Sequence, residues 1–344
     1  MIDILIIGAG VAGMAAAEHL AAAGYRPRLI DKADGPGGRC ATRRVAADRE
    51  AAWFDYGAQY FTARDDGFRA LIDSDLDAGR LIRWSPEIAS AEQAAGTWLL
   101  TPSPDDRERL IGPRGLNLWV RQRLQAAGLR FDTGRRVQRI SRDGHDGNRW
   151  QVESEHGAVE HADMVVLTPP AAQAAALLGD HARRIDALTN ADTALSACHS
   201  VVVRAPALAE CQAIFFKSGR LSWAADNTHK AGGRGEMHLW TLHSDANFSQ
   251  AHVETPTAEL ADALIAEFAA ATAQRSDRME IVGTHRWRYA RPGAGAPDAD
   301  DLCWIDTRAG LAIAGDWLAG GRVEGAWLSG RAVVRRLIAA HALD

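Results

Sequence analysis

The start of the chain constrains the fold more than any other segment. Residues 2–7 form a short β-branched run, which is typical of a strand buried on both faces of a parallel sheet. Glycines follow at once, and the alanine- and leucine-rich residues 14–23 predict a helix. Arg28–Ile30 predicts a second strand. A strand, a turn, a helix and a strand in this order indicate an α/β fold.

The glycine spacing in this unit suits the binding of a dinucleotide. In a G-x-G-x-x-G turn, Gly8 permits the tight turn, Gly10 lets the backbone approach a pyrophosphate, and Gly13 lets the helix pack closely on the strand. The helix N-terminus offers N–H groups and a positive dipole to phosphates. Asp31 ends the second strand, where its carboxylate can accept hydrogen bonds from both ribose hydroxyls. An acid there disfavours a 2′-phosphate, so a Rossmann-type domain for FAD or NAD is predicted.

Composition excludes several other classes of protein. The net charge is −5, and the chain has no basic stripe that would bind nucleic acid. We predict no transmembrane helix, because no apolar run of about 20 residues occurs, and we expect a soluble, cytoplasmic protein. The cysteines show no CxxC pair or metal-ligand spacing, so no metal site is predicted; they are Cys40, Cys198, Cys211 and Cys303.

The next segment distinguishes FAD from NAD. Residues 35–39 read Gly-Pro-Gly-Gly-Arg and follow the predicted second strand. Gly38 and Arg39, just past the ribose-binding acid, resemble the GGR segment of the flavin amine oxidase superfamily. In that superfamily the arginine lies along the FAD pyrophosphate, so the resemblance implies bound FAD.

The C-terminal part contains a second anion-accepting unit. Residues 311–316 predict a strand that ends in Gly-Asp, and a helix is predicted from Arg322 to residue 341. The Asp316 carboxylate can bond ribityl hydroxyls. The N–H groups around Glu324 and Ala326 can face the O2/N1 edge of a flavin, which becomes negative on reduction.

Residues 54–61 mix aromatic and small side chains. Gly57 and Ala58 leave the backbone accessible to a flat ring, and Gln59 and Tyr60 could face that ring. The alternative is a core strand with a bulge at Gly57.

The remaining pattern predicts two interleaved domains. Helical spacing occurs at 68–80, 116–127 and 257–274, and strands are predicted at 136–140, 150–159, 162–167, 200–203, 213–217, 221–224 and 237–243. We assign residues 1–70, 128–180 and 286–344 to an FAD-binding domain. Residues 71–127 and 181–285 are assigned to a smaller α+β substrate domain that covers the flavin like a lid.

Together these segments resemble the renalase family, and its bacterial members in particular. The matching segments span nearly the whole length: GAGVAG at 8–13, GGR at 37–39, DYGAQYFTAR at 55–64, GPRG at 112–115, WTLH at 240–243, HRWRYARP at 285–292 and GDWLAGGRVEGAWLSG at 315–330. The first and last are general to flavin amine oxidases, whereas GAQYFTAR and HRWRYARP are more particular to renalases.

This resemblance implies a p-hydroxybenzoate-hydroxylase-like topology and a specific reaction. Misreduced NAD(P)H isomers, with the extra hydride at ring position 2 or 6, would pass that hydride to flavin N5. O2 would then reoxidise the flavin, giving NAD(P)+ and H2O2. The predicted cofactor-binding residues are Gly8, Gly10, Val11, Ala12, Gly13, Asp31, Lys32, Gly38, Arg39, Gly57, Ala58, Val137, Thr168, Asp316, Arg322, Val323, Glu324 and Ala326.

Oxidation of a dihydronicotinamide needs no general base, since loss of hydride makes the ring aromatic. The work is the orientation of two flat rings, so we expect aromatic walls and a few hydrogen-bond donors. The candidate substrate-site residues are Gln59, Tyr60, Trp223, His243, Tyr289 and Arg291. Non-covalent FAD is predicted because the loop 317–320 has no thiol.

Three alternatives stay open. An amine oxidase needs paired aromatic walls, of which Trp317 is the one evident candidate. A flavin-binding redox protein without turnover would keep the same signatures. A desaturase-like enzyme for a large apolar substrate should show a long apolar helix, which the sequence lacks. The expected partners are a small dinucleotide substrate and O2, and we expect a monomer or weak dimer.

Overall fold

The computed structural model describes residues 2–45, 52–142, 149–155, 157–189, 195–292 and 302–340. The strands are β1 (Ile4–Ile7), β2 (Arg28–Ile30), β3 (Thr42–Val45), β4 (Ala52–Asp55), β5 (Ile82–Arg83), β6 (Ile88–Ala94), β7 (Thr97–Pro102), β8 (Leu110–Ile111), β9 (Phe131–Asp132), β10 (Val137–Arg142), β11 (Trp150–Ser154), β12 (Val159–Ala162), β13 (Met164–Leu167), β14 (Leu195–Pro206), β15 (Ala213–Phe216), β16 (Leu221–Asp226), β17 (Met237–Ser244), β18 (Glu280–Pro292), β19 (Cys303–Asp306) and β20 (Leu311–Ala314). The α-helices are α1 (Val11–Ala22), α2 (Asp66–Asp77), α3 (Leu116–Ala126), α4 (Ala171–Leu178), α5 (Asp186–Thr189), α6 (Asn227–Lys230), α7 (Ala246–Ala251), α8 (Thr257–Ala271) and α9 (Arg322–Ala339). Short 3₁₀ helices cover Gly179–Arg184, Ser276–Arg278 and Asp316–Leu318.

A six-stranded sheet in the order β19-β20-β13-β1-β2-β9 forms the first layer. All its neighbouring strands are parallel except β19, which pairs antiparallel with β20. β1, β13 and β20 are fully buried, as their uninterrupted apolar sequences predict. The loops after β1 and β20 lead into α1 and α9, so both helices begin at the carboxyl edge of the sheet, where open α/β folds bind ligands.

Two apolar cores cover the two faces of this sheet. One face packs against α1, α3 and α9. The other packs against α4 and the antiparallel sheet β10-β11-β12. The α1–α9 contact is close because small residues meet there: a Cβ added at Gly330 would lie 2.2 Å from the Ala12 carbonyl oxygen.

A seven-stranded sheet in the order β18-β14-β17-β16-β15-β6-β7 forms the second layer. One of its faces is packed by α8. The opposite face carries smaller apolar groups, which include Phe54, Tyr60 and Trp84 from the first half of the chain. This face therefore lies toward the six-stranded sheet and its glycine-rich turns.

The expectation of a mixed α/β fold with a mostly parallel, Rossmann-type sheet is confirmed. The prediction of one strand over 150–159 is wrong in detail, because β11 and β12 form a hairpin there and Gly157 adopts a φ of +74° between them. β6 and β7 were not predicted at all. Among the described helices, none combines the length and apolar character needed to cross a bilayer.

The predicted domain limits do not follow the secondary structure everywhere. The limit at residue 285 falls inside β18, which is one continuous strand of the seven-stranded sheet. The segment 71–127 is divided: β6 and β7 join the seven-stranded sheet, whereas α3 packs in the core beside α1. Pairing to a sheet and packing on a helix are long-range contacts, so these limits were not visible in the linear pattern.

Candidate functional site

The N-terminal glycine turn leaves one side open for an anion. Gly8 has a φ of +106°, and an added Cβ would lie 2.3 Å from Thr168 Oγ1. A Cβ at Gly13 would lie 1.9 Å from the Gly8 carbonyl oxygen. In contrast, a Cβ at Gly10 would meet only Gly38 Cα, at 3.9 Å. Gly8 and Gly13 thus serve packing, and Gly10 borders free space.

The start of α1 supplies unpaired N–H groups to that space. Gly10 is the N-cap residue, no side chain caps the helix, and its first turn, which includes Val11 and Ala12, has no acidic residue. Free N–H groups and a positive helix end are what a pyrophosphate requires. The residues present therefore fit the dinucleotide group of a flavin cofactor.

Asp31 stands at the end of β2 and is held by backbone amides. Its Oδ2 accepts from Ala9 N at 2.7 Å and its Oδ1 from Ala33 N at 2.8 Å. These bonds fix the carboxylate beside the glycine turn, with acceptor capacity left for ribose hydroxyls. Lys32 is exposed next to it and donates to Gln173 at 3.3 Å.

Thr168 and Val137 frame the same edge of the sheet. Thr168 Oγ1 donates to the carbonyl oxygens of Ile7 at 3.0 Å and Gly8 at 3.1 Å, so it ties the end of β13 to the glycine turn. Val137 begins β10 and is half-buried against the core on that side.

Arg39 connects three segments that are distant in sequence. Its guanidinium forms an ion pair with Asp316 and donates to the Ala290 carbonyl oxygen at 3.2 Å. The Gly-Gly-Arg segment, the Gly-Asp after β20 and the end of β18 therefore meet at one point. Gly38 packs on the glycine turn, since its added Cβ would lie 3.3 Å from Gly10 Cα.

The start of α9 has a strained entry. Arg322 has a φ of +71°, which is rare for a residue other than glycine and is found often at functional sites. Arg322 is exposed, and Val323 and Ala326 are half-buried. Glu324 is buried and its Oε1 accepts from the amides of Arg64 at 2.5 Å and Asp65 at 2.7 Å. Its side chain thus anchors the segment before α2, and its backbone begins the helix.

Gly57 and Ala58 are clamped on the backbone of Arg39. Ala58 N donates to the Arg39 carbonyl oxygen at 2.8 Å. A Cβ at Gly57 would lie 2.0 Å from that oxygen and 3.1 Å from Trp287 Cζ2. The missing side chain at Gly57 is therefore required by protein contacts. Gly57 follows the end of β4 and forms no bulge within it.

A set of buried polar side chains lies beside this segment, and we call it the Lys230 network. Its members are Asp55, Gln59, Asn227, Lys230 and Thr241. Lys230 Nζ donates to Gln59 Oε1 at 2.8 Å and Asn227 Oδ1 at 3.2 Å, and lies 3.9 Å from Asp55 Oδ2. Gln59 Nε2 donates to the Asp55 and Gly57 carbonyl oxygens. Both ends of the Gln59 amide are thus engaged by protein.

Burial dominates the electrostatics of this network. It lowers the pKa of Lys230 to about 8, against the opposing effect of Asp55 and Asp226. Burial also raises the pKa of Asp55, while Lys230 and the Thr42 hydroxyl act in the opposite direction. Asp55 Oδ1 accepts from Thr42 and from Leu116 N, but Oδ2 has no hydrogen-bond partner. Lys230 is therefore the group that compensates this buried carboxylate.

An aromatic cluster adjoins the network; it consists of Tyr60, Trp84, Phe215 and Trp223. The Tyr60 ring centroid lies 5.6 Å from that of Trp223 and 6.1 Å from that of Trp84. Phe215 and Trp223 are 4.4 Å apart. Lys230 Nζ lies 5.3 Å from the Trp84 ring centroid, so the cluster and the network touch.

Arg109 closes the cluster on one side. Its guanidinium lies 5.1 Å from the Tyr60 ring centroid and bonds both oxygens of Asp105 at 2.7 Å. These flat rings and the planar guanidinium pack on one another: Trp84, Trp223 and Arg109 are buried, whereas Tyr60 and Phe215 are half-buried.

His243, a predicted substrate-site residue, lies directly opposite Trp223 on the neighbouring strand of the seven-stranded sheet. Trp223, His243 and Ser200 are direct cross-strand neighbours. His243 Nε2 donates to the Tyr56 carbonyl oxygen at 3.3 Å. Burial, with a smaller effect of Arg291, lowers the pKa of His243 to about 3, so its imidazole is neutral at pH 7.

Arg291 and Tyr289 belong to the end of β18. Arg291 donates to Ser222 Oγ at 3.2 Å, beside Trp223. Tyr289 is half-buried two residues earlier. Ala290 lies between them and accepts from Arg39. The structure thus brings Tyr60, Trp223, His243 and Arg291 together at the seven-stranded sheet, whereas Gln59 is buried with its amide engaged by protein.

Trp317 does not line this space. It is 1% exposed, lies in the core beneath the six-stranded sheet, and donates to the Pro169 carbonyl oxygen at 3.3 Å. The expectation that it forms an aromatic wall is therefore wrong. The observed aromatic groups come instead from the seven-stranded sheet and the segment after β4.

Five residues at this site were not predicted from the sequence: Asp55, Asn227, Lys230, Trp84 and His285. For Lys230 the sequence did offer one indication of a special role, because lysine is rare in this arginine-rich chain and occurs only at positions 32, 217 and 230. His285 lies against the Tyr56 ring with centroids 5.0 Å apart. Burial, with a smaller effect of Arg43, lowers its pKa to about 4.

Comparison with known proteins identifies the family. A model described as "NAD(P)-binding Rossmann-like domain" matches residues 6–74, and one described as "Flavin containing amine oxidoreductase" matches residues 78–338. The second match covers more than half of the chain. The chain belongs to the flavin-containing amine oxidoreductase family.

Similarity to individual curated proteins is confined to short segments. A phytoene dehydrogenase from Streptomyces griseus is 36% identical over 86 residues, which is 24% of this chain and 16% of that protein. A 15-cis-phytoene desaturase from Narcissus pseudonarcissus is 33% identical over 60 residues, which is 17% of this chain and 10% of that protein. The matches thus span a small part of those relatives.

Solved structures share the fold over nearly the whole chain. An oxidoreductase from Methanosarcina mazei aligns with a TM-score of 0.70 at 13% identity, covering 97% of this chain and 100% of that one. Cyclohexylamine oxidase from Brevibacterium oxydans aligns with 0.70 at 14% identity, covering 99% of both. Putrescine oxidase bound to putrescine gives 0.69 at 15%, covering 98% and 99%. At such identities the likeness establishes the fold alone.

Proposed function

We propose that this enzyme binds FAD non-covalently and oxidises misreduced NAD(P)H isomers, the 2- and 6-dihydro forms. The dihydropyridine loses a hydride and becomes aromatic NAD(P)+, while O2 takes up the two electrons and two protons, one from the substrate hydride and one from water, as H2O2. Bound FAD supplies the hydride acceptor at N5 and the reactivity with O2.

The proposal of FAD is supported by the first layer of the structure. We propose that Asp31 binds the ribose hydroxyls, that the start of α1 binds the pyrophosphate, and that Arg39 and Asp316 bind the chain between pyrophosphate and ring. Non-covalent binding is supported by Cys40, since burial raises the pKa of its thiol to about 12 and leaves it unreactive. Cys198, Cys211 and Cys303 are likewise buried.

The proposed substrate is supported by one observation above all: the site face combines flat rings with histidines that are very weak bases. The half-buried Tyr60 ring packs on the buried Trp223 ring, while burial lowers the pKa values of His243 and His285 to about 3 and 4. Oxidation of a dihydropyridine needs orientation of two rings and no proton abstraction. The face is suited to that task.

Steady-state assays of peroxide formation test this proposal. The flavin-loaded protein is supplied in air with 2-dihydro-NAD, with 6-dihydro-NAD, with ordinary 4-dihydro-NADH, or with no substrate. We predict peroxide from the 2- and 6-isomers at rates far above those with 4-dihydro-NADH. Equal rates with all three, or none with any, would contradict the proposal.

An amine oxidase is the second candidate, and the family match favours it directly. The half-buried Tyr60 ring, which packs on the buried Trp223, is a candidate for one of the aromatic walls that such enzymes need. Putrescine oxidase and cyclohexylamine oxidase are the neighbours whose names suggest substrates. Peroxide from putrescine, cyclohexylamine or a related amine, and none from the isomers, would establish this alternative.

Two further alternatives have less support. A desaturase-type activity is suggested by the names of the curated relatives. A flavin-binding redox protein without turnover would retain every contact of the first layer. Peroxide formation with any small substrate would exclude the flavin-binding redox protein without turnover.

A further inference from the structure

A cleft lined by arginines lies on the far side of the Gly-Gly-Arg segment. Its volume is about 340 Å³, and its walls come from β3, the turn before α3 and the first half of α3. The lining residues are Arg44, Arg114, Asn117, Leu118 and Arg121. Arg44 and Arg114 are exposed and Arg121 is half-buried.

None of these three arginines has an acidic partner among the described residues. The contrast with Arg123 is direct, because that residue lies two positions further along α3 and pairs with Glu18 at 2.8 Å. Three guanidinium groups that line one cleft repel one another unless an anion lies between them. The cleft thus has the charge of an anion site.

The position of the cleft separates it from the dinucleotide turn. A Cβ added at Gly37 would lie 3.1 Å from Asn117 Cβ, and one at Gly35 would lie 3.1 Å from Arg121 Nη2. Gly38 instead faces Gly10. Residues 35–38 therefore form a wall with the cleft on one side and the glycine turn on the other.

Hydrogen bonds tie the cleft walls to the interior. Asn117 N donates to Thr42 Oγ1 at 3.3 Å, and Thr42 in turn donates to the buried Asp55 at 2.6 Å. The side-chain Oδ1 of Asn117 is buried and has no partner in the described part of the chain.

We propose that this cleft binds the phosphate groups of a phosphorylated ligand. Arginine binds phosphate through paired, charge-assisted hydrogen bonds. The volume lies at the low end for ligand sites, which suits a pyrophosphate or a sugar phosphate and not a whole dinucleotide. The phosphates belong either to the dinucleotide substrate, in which case the assignment rests on the proposed function, or to a separate phosphorylated molecule.

Titration calorimetry with inorganic pyrophosphate tests the site. The flavin-loaded protein is used, so that the cofactor already fills its own phosphate site. We predict that Arg114→Gln/Arg121→Gln weakens pyrophosphate binding at least tenfold. The control, Arg69→Gln/Arg335→Gln, removes two exposed arginines elsewhere and should leave binding within about twofold. Loss of binding in both variants, or in neither, would overturn the proposal, as would no binding to the unaltered protein.

Steady-state kinetics of a cleft variant distinguishes the two possible sources of the phosphates, the dinucleotide substrate and a separate molecule. The calorimetric test does not depend on turnover, so it applies even if the proposed function is wrong. Arg44→Gln serves as an independent variant, since Arg44 lies on β3 and not on α3. If the phosphates are the substrate's, KM for the dihydro isomers rises about tenfold with kcat unchanged. If they belong to another molecule, KM is unchanged while pyrophosphate binding is still lost.

Discussion

Replacing Lys230 by methionine removes the cation that faces the Asp55 carboxylate in the interior. Both side chains are 0% exposed, and Nζ lies 3.9 Å from Oδ2. Asp55 Oδ1 accepts from the Thr42 hydroxyl and Leu116 N, whereas Oδ2 has no hydrogen-bond partner and faces the Lys230 ammonium. Breaking a buried pair by removing one partner costs about 3–5 kcal/mol, and we predict a loss of this size at pH 7.

The loss should depend on pH in a defined direction. Burial raises the folded-state pKa of Asp55, and removing Lys230 removes the largest effect that opposes this rise. A carboxyl whose folded pKa lies above its unfolded value binds more protons when folded, so stability increases as pH falls through that window. The deficit of Lys230→Met should therefore shrink in mild acid.

Chemical denaturation of the flavin-loaded protein measures these effects. The double variant Lys230→Met/Asp55→Asn should be more stable than the sum of the single changes predicts, by about 2 kcal/mol. The control is Lys217→Met, whose side chain is exposed, and it should change the stability by less than about 0.5 kcal/mol. If the losses of unfolding free energy add in the double variant, or if the loss in Lys230→Met does not change with pH, Lys230 does not compensate the Asp55 charge.

Three further predictions concern the flavin and its surroundings. Gly10→Ala should change the free energy of unfolding by no more than about 1 kcal/mol but lower the flavin content, because its Cβ enters the open space. Gly13→Ala should also destabilise the flavin-free protein, because its Cβ would lie 1.9 Å from the Gly8 carbonyl oxygen. Thermal melts measure the stability of each variant, and flavin absorbance measures the cofactor content. Acid precipitation should release all flavin into the supernatant, and yellow colour in the pellet would show a covalent link. The kcat/KM profile should show no histidine ionisation between about pH 5.5 and 7.5, since the pKa values of His243 and His285 are lowered to about 3 and 4. A rise of kcat/KM through a single ionisation in that range would argue for a histidine base.

The parts of the site that lie within one local unit could be read from the sequence. The turn from Gly8 to Gly13 and the placement of Asp31 follow from a strand, a turn and a helix in immediate succession. The start of α9 at Arg322 follows from the same logic. Each involves short-range geometry that residue type alone dictates.

The parts that depend on long-range contact could not be read in this way. Arg39 meets Asp316, which is 277 residues away, and Gln59 meets Lys230, which is 171 residues away. The core position of Trp317 is of the same kind, since it depends on Pro169 and the neighbouring sheet. β6 forms a local hairpin with β7, but its place in the seven-stranded sheet comes from parallel pairing with β15, which is remote in sequence.

Anaerobic rapid mixing of the flavin-loaded protein with purified dihydro isomers tests the proposed substrate. We predict that 2- and 6-dihydro-NAD(P) bleach the flavin absorbance within the mixing experiment, that ordinary NADH and a panel of amines do not, and that air restores the colour. Bleaching by an amine, with none by the isomers, would contradict the proposed function and assign the protein to the amine oxidases.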